Sequence, residues 1–371
     1  MTKVELAKAS QKNQLKEMWK YCFYDSDTYI NWLFDRVHKP ENTLVVCEGD
    51  TVAAALQMFP HTISLCGKTL PAMYVGGVTT RPECRGKGYV NALMEKVVQT
   101  MYERGVAVSL LIPFKFEFYR KYGYEATHFL SDYEGEIDTL KKYAVPCGQI
   151  APYTSAPVDV YNAFARDKGS RIVRDEALFE QTNEEMSVCG GKFYTLADGG
   201  YIIYEIVNRV FTVYEMAYTG RSQLAQLLGF IYSHSSQAEK FKIRAAADGF
   251  LRNVLCEKTV TETRYPHLMT RIINAKTVLE TLSSRLAPGE EVALDIKDSI
   301  LPQNNRAFRI APFSVQEAEG GISVDTKALS QLVHGTISAR EAEFMGLINT
   351  SDKLDSLFIK KENYINMLGW V

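Results

Sequence analysis

The sequence predicts a mixed α/β chain of the α+β kind with two or three domains, and three observations carry that prediction. Its 371 residues are more than one hydrophobic core usually serves. Apolar runs with helical period alternate along it with short strand and turn signals. One block, Tyr74 to Tyr102, sets a β-type run, a turn containing Gly and Arg, and a long amphipathic helix end to end.

The first ~140 residues read as helix, helix, antiparallel strands, turn, helix, strand, helix. Leu15, Met18, Trp19 and Cys22 have helical spacing, as do Ile30, Leu33, Phe34 and Val37 ahead of Pro40. Residues 43–48 and 51–59 flank Gly49-Asp50, a hairpin signal. A third strand near 63–65 turns at Gly67 into a strand over 73–80. From Val90, the residues Leu93, Met94, Val97, Val98 and Met101 line one helix face, and Gly105 stops it. Residues 106–112 form a buried strand that Pro113 disrupts.

Between that strand and that helix lies the chemistry. Arg85-Gly86-Lys87-Gly88 opens the helix, where free backbone N–H groups and the helix dipole attract an anion. Gly86 and Gly88 let a phosphate approach the backbone, and Arg85 and Lys87 supply charge beside it. Neither G-x-x-x-x-G-K-[ST] nor G-x-G-x-x-G is present, which disfavours a P-loop NTPase or a dinucleotide fold.

Composition excludes other classes. A net charge of −2 gives no global attraction to nucleic acid or an anionic membrane, and no apolar run reaches the ~20 residues of a membrane span. Hydrophobic content of 46% and charged content of 23% are ordinary for a soluble globular chain. Seven scattered cysteines without a C-x-x-C pair read as reduced thiols of a cytoplasmic protein. The six histidines are far apart, so no metal site is expected.

Residues 201–207 and 210–217 make a hairpin around Asn208-Arg209, and 222–232 a helix with Leu224, Leu227, Leu228 and Ile231 on one face. No Arg-x-x-Gly follows a strand in this block, which reads either as a degenerate copy of the first or as an unrelated α+β insert. Further on, helices are expected over 275–286, 327–333 and 339–347, and strands over 291–296 and 306–311.

The spacing Arg85-x-x-Gly88-x-Val90 after a strand resembles the acyl-CoA turn of the GNAT superfamily, although that family usually has Gly or Ala where Val90 stands. Together with F-Y-R-K-Y-G-Y at 118–124 and M-T-R-I-I-N at 269–274, it makes the chain similar to the Eis-type N-acetyltransferases. That resemblance implies tandem acetyltransferase domains, the first active and the second degenerate, and a sterol-carrier-protein-like domain. The matching ranges are 1–149, 150–266 and 267–371. It further implies a sheet that splays after the cofactor strand to admit pantetheine, acetyl-CoA as donor, and a primary amine as acceptor. That amine would belong to a small cationic molecule such as an aminoglycoside or polyamine, or to a lysine-containing peptide. A homohexamer is implied as well. Cofactor contacts fall on Val78, Thr79, Thr80, Arg85, Gly86, Lys87, Gly88, Tyr89 and Val90; the general acid aligns with Tyr119, and the base is the terminal carboxylate of Val371.

The residues themselves leave several choices open. An amine of pKa ~10.4 is only ~0.04% neutral at pH 7, so a base is required, yet residues 73–80 contain no Asp or Glu. Glu117 is a rival base, and Tyr122 and Tyr124 are rivals of Tyr119. Tyr24, Asp25 and Asp27, with Trp32 and Phe34 nearby, either face a cationic acceptor or, in the case of the aspartates, cap a helix. Glu205 and Glu215 are weak candidates for an acid in the acceptor pocket. A rival from another class is a lipid- or sterol-binding protein with a vestigial transferase domain. Within enzymes the rival is a longer-chain acyl- or peptidyltransferase.

Overall fold

The structure, a computed structural model, describes residues 2–366, which divide into two compact units. The first holds the chain up to His128 together with His267–Lys361; the second holds Phe129–Pro266 and continues from Glu362.

The first unit begins with β1 (Glu5–Leu6), α1 (Lys12–Phe23) and α2 (Asp27–Trp32), which runs on as one π-helical turn, Leu33–Val37. Then come β2 (Thr43–Glu48), β3 (Thr51–Leu65), β4 (Lys68–Thr80), α3 (Tyr89–Glu103), β5 (Val108–Leu111) and α4 (Phe116–Arg120). β6 (Glu125–Glu136), a strand beyond those the sequence predicts, passes into the second unit. The expected separate strand at 63–65 is the far end of β3. Pro60 does not break that strand because β2 pairs only as far as Gln57, so no ladder bond is asked of Pro60 on that side. Alternation along β2 and β3 sends Leu44, Val46, Ala54, Leu56 and Met58 to one face, where they meet Leu93, Met94, Val97, Val98 and Met101 of α3. That seam is the core of the unit.

The second unit holds β7 (Ile150–Pro152), α5 (Val158–Phe164), β8 (Ser170–Ile172), α6 (Glu176–Cys189), β9 (Lys192–Leu196), β10 (Gly200–Val207), β11 (Val210–Tyr218), α7 (Arg221–Tyr232), β12 (Lys240–Ala246) and α8 (Phe250–Val254). Its strands run β6-β12-β11-β10-β9-β7. Asn208 and Arg209, with φ of 50° and 62°, form the expected two-residue turn between β10 and β11.

β13 (Thr261–Ile272) returns to the first unit, where Met269–Ile272 pairs antiparallel with Leu111–Val108. Met269–Ile272, in the segment read as opening the C-terminal domain, thus also extends the first sheet. Beyond it lie α9 (Ala275–Leu282), β14 (Val292–Lys297), β15 (Ala307–Ala311), β16 (Ser314–Ala318), β17 (Ile322–Asp325), α10 (Thr326–Val333) and α11 (Ala339–Phe344). The four strands form a second sheet in the order β16-β15-β14-β17. Two helices end earlier than their periodicity predicts. Residues Ser283–Arg285 tighten into a 3₁₀ turn, and after Met345 the chain turns through Gly346 at φ 71°.

Candidate active site

β4 carries the site because it is only half paired. Its parallel ladder with β5 joins Ala72, Met73 and Tyr74 to Val108, Ser109 and Leu110 and goes no further. Beyond Tyr74, residues 75–80 have β3 on one side and no strand on the other among the described residues. A bulge marks the change: Gln57 faces Gly76 and Ala55 faces Thr79, so Gly77 and Val78 together oppose one residue. Gly77 sits at φ 58° against the Trp19 ring, and a Cβ there would collide with it. The result is a strip of backbone with free hydrogen-bonding groups that carries the half-buried Val78 and Thr80 and the buried Thr79.

The strip leads into a turn held by Arg81, whose N–H and guanidinium donate to the carbonyls of Ala53 (2.9 Å) and Val52 (2.7 Å). Gly86 and Gly88 both adopt φ 80°, with open space where a Cβ would project. Gly88 is the N-cap of α3, and no side chain caps that helix. The first intrahelical bond is Ala92 N–H to Gly88 C=O (3.3 Å), which leaves the N–H groups of Tyr89, Val90 and Asn91 without intrahelical acceptors. Arg85 is exposed, 5.9 Å from the Tyr21 ring centre, and has no acidic partner among the described residues. Lys87 is less free than the sequence implies. It pairs with Glu48 (2.7 Å), which also accepts from the Tyr89 hydroxyl (2.6 Å). These two hydrogen bonds, that from Lys87 first, hold the Glu48 carboxyl below the usual carboxylate range. Val90, where the family favours a small residue, is half-buried and packs toward the α3 seam.

Tyr119 lies in the short helix α4, 4% exposed, with Phe114, Phe118 and Tyr124 around its ring at 5.6, 5.1 and 6.3 Å. Geometry separates it from its rivals. The Tyr124 hydroxyl shares a 2.6 Å hydrogen bond with Ser109, and the Tyr122 hydroxyl donates to Asn91. No hydrogen bond engages the Tyr119 hydroxyl among the described residues. Burial first, then the nearby Tyr124 and Tyr122, push its phenol above the ordinary value, so the hydroxyl stays protonated and gives up its proton only to a strong base in direct hydrogen-bond contact. Glu117, whose side chain is 76% exposed, forms a surface pair with Arg120 (3.4 Å). Val371 lies outside the described residues.

The acceptor candidates disperse. Trp32 and Phe34 are buried in the core and offer no face to a ligand, whereas Tyr24 caps α1 in the left-handed conformation, 87% exposed. Neither aspartate caps α2, contrary to expectation. Ser26 does, because it holds the extended backbone a cap needs and accepts from Tyr29 N–H (3.2 Å). Asp25 instead accepts from the Trp19 indole (2.8 Å), and Asp27 pairs with Lys20 (2.6 Å). In the second unit, Glu205 accepts from Tyr214. Glu215 is fully buried, forked by Arg174 (2.5 and 3.1 Å) and held by Tyr201 (2.6 Å) and Tyr364 (3.3 Å). Gly77, Glu48 and the Arg174 and Tyr201 partners of Glu215 were not among the residues the sequence singles out. Only the Gly76-Gly77 pair inside an apolar strand was a legible signal.

A half-open strand, a glycine turn into an uncapped helix and a buried phenol outside any hydrogen bond among the described residues make up the candidate acyl-transfer site. An acetyltransferase (GNAT) domain model matches residues 3–127, a second matches 171–272, and a sterol carrier protein domain model matches 276–366. The chain is thus an N-acetyltransferase of GNAT type with two such domains and a sterol carrier domain. It is similar in structure to the GCN5-related N-acetyltransferase from Anabaena variabilis ATCC 29413 (22% identity, 99% of each chain, TM-score 0.86). It is also similar to a probable N-acyltransferase from Enterococcus faecalis V583 (20% identity, 98% of this chain and 99% of that one, TM-score 0.85). Eis1 from Mycobacterium abscessus shares the fold at 16% identity (98% and 99% covered, TM-score 0.79). A comparison with curated proteins found no match.

The domains imply an acyl-CoA, and the residues present fit one. Open left-handed glycines and orphan N–H groups suit a pyrophosphate, and the unpaired edge of β4 suits the amides of pantetheine. Among the described residues no helix is long and apolar enough to cross a membrane, and no cluster of His, Cys, Asp or Glu is placed to hold a metal ion.

Proposed function

We propose that this chain is an Eis-type enzyme that moves acetyl from acetyl-CoA to a primary amine of a cationic small molecule, aminoglycoside- or polyamine-like, or of a lysine side chain. The observation that carries the reading is the abrupt end of the β4–β5 ladder at Tyr74, directly before the bulge and the glycine turn. Backbone on residues 78–80 and the turn Arg85–Val90 hold the donor. Tyr119 gives its proton to the departing thiolate, a role supported by its buried, otherwise unengaged hydroxyl. The Val371 carboxylate takes the proton from the amine, a role supported by the lack of any acid on the cofactor strand.

In this reading residues 1–149 form the transfer domain, 150–266 a degenerate copy, and 267–371 a sterol-carrier-like domain, assembled as a cytoplasmic homohexamer. The Arg174–Glu215 pair supports degeneracy, since it fills the second unit's core with spent polar groups. Polyamines, aminoglycosides and lysine peptides are incubated with acetyl-CoA, and in parallel with longer-chain acyl-CoAs, and free thiol is read. Acetylation of at least one amine class is expected. Thiol release only with longer acyl chains, or with none of the amines, would refute the assignment.

A further inference from the structure

A cleft of about 440 Å³ opens in the first unit where α4, the end of β14 and the start of α10 meet. That volume lies in the range of small-ligand sites, ~300–1,000 Å³. Four cations line it: Arg120, Lys121, Lys297 and Lys327. Two carboxylates do as well, Asp298 and Asp325. Both carboxylates are already committed. Asp298 is buried and takes the guanidinium of Arg271 (2.6 Å), the N–H groups of Ile300 and Leu301 (2.9 Å each) and the amide of Asn304 (2.9 Å). Asp325 caps α10 by accepting from Ala328 N–H (2.8 Å).

The cations are held more loosely. Lys297 pairs with Asp295 (2.7 Å) and Lys327 with Asp325 (3.4 Å), in each case with the lysine about half exposed. Such pairs contribute only ~0–1 kcal/mol, so both ammonium groups can turn toward a stronger anion. Arg120 is forked on Glu125 (2.9 Å) and stays there. Lys121 donates to Asn91 (2.9 Å), which lies in the first turn of α3 beside the glycine turn. One side chain therefore joins the cleft to the cradle.

We infer that this cleft is a phosphomonoester site, with Lys297 and Lys327 as its principal contacts. Two sources offer that dianion. One is the ribose 3′-phosphate of the CoA whose pyrophosphate occupies the cradle, a case that rests on the acyl-CoA reading above. The other is a free phosphorylated metabolite. In the first case the sterol carrier domain, which supplies both lysines, takes part in donor binding.

The test is calorimetry on the full chain and on K297Q/K327Q, two exposed changes that leave the buried Arg271–Asp298 pair intact. Binding by CoA, by dephospho-CoA, and by inorganic phosphate added to the CoA-saturated protein is measured. If CoA is the source, the wild type binds it about tenfold or more tightly than dephospho-CoA. The variant then loses that preference without weakening for dephospho-CoA. If a free phosphate ester is the source, the wild type shows no preference, and its CoA-saturated form binds inorganic phosphate while the variant does not. A preference retained in the variant, or no preference and no phosphate binding in either protein, overturns the site. Failure of the acyl-CoA reading looks different, because the wild type then binds neither form of CoA. Phosphate titration of the unliganded protein, lost in the variant or absent from both, then decides the cleft.

Discussion

Replacing Gly77 with Ala perturbs one atom and should unsettle the whole cofactor strand. Two costs combine. The residue sits at φ 58°, where an L side chain costs ~1–2 kcal/mol. Its new methyl would also press into the Trp19 ring, with a second ring carbon at 3.1 Å and the Gln57 amide at 3.3 Å, and overpacking of that kind costs ~1–3 kcal/mol. The sum is about 2–5 kcal/mol. For a unit of this size that lowers the melting temperature by about 4–20 °C. Scanning calorimetry of Gly77→Ala, Trp19→Leu and the double variant separates the two costs. The smaller ring partner relieves the collision but not the backbone strain, so the cycle should show a coupling of ~1–3 kcal/mol. A Gly77→Ala protein that melts within about 2 °C of wild type would refute the reasoning, because the bulge would then tolerate a side chain.

Gly88→Glu meets open space, so the fold should survive at a cost of ~1–2 kcal/mol while acetyl-CoA binding is lost; unchanged binding by calorimetry would remove the cradle. Tyr119→Phe should lower kcat ~10²-fold or more and leave acetyl-CoA affinity nearly intact, whereas loss of kcat in Tyr124→Phe alone would transfer the role to Tyr124. Amidating the C-terminus, or adding residues after Val371, should leave donor binding normal and transfer slow; a tagged enzyme as active as the untagged one would eliminate the terminal base. The buried His128 and His334, 5.1 Å apart, titrate far below 6.5, His334 at about 3, because burial disfavours their charged forms. Both are neutral when folded and take up protons on unfolding. Stability is therefore full above pH ~6.5 and falls toward pH 3 by about 1.4 kcal/mol per pH unit for each ring. Urea midpoints between pH 7.5 and 4.5 check this, and a His334→Asn variant with the wild-type slope would contradict it.

What the chain reveals before folding is what local rules decide. The α3 stripe, the Asn208-Arg209 turn and the glycine pair in Arg85–Gly88 each follow from a few neighbouring residues, and the structure has all three. Distant partners were not legible. Arg271 sits in a stretch whose apolar neighbours alternate poorly for a strand, and its buried pair with Asp298, with its hydrogen bonds to the carbonyls of Tyr122 and Ile272, explains why β13 tolerates it. Asp25 read as a cap because position alone favours that role, and the Trp19 indole that claims it is not visible as a partner in sequence. For the same reason three tyrosines within six residues stayed ambiguous until Ser109 and Asn91 were seen to engage two of them.

The pairing of β5 with β13 bears on how the protein is made. Leu111 meets Met269 across about 160 residues of intervening chain. At ~5–20 residues per second, a ribosome needs roughly 8–30 s between delivering one strand and the other. Throughout that interval the buried-type run Val108–Leu111 is a naked sheet edge on a nascent chain, open to a neighbouring chain on the same message. Slow synthesis or a shortage of chaperones should therefore harm the yield of this protein more than its finished stability suggests. Supplying residues 267–361 in trans during translation would be one way to protect the edge.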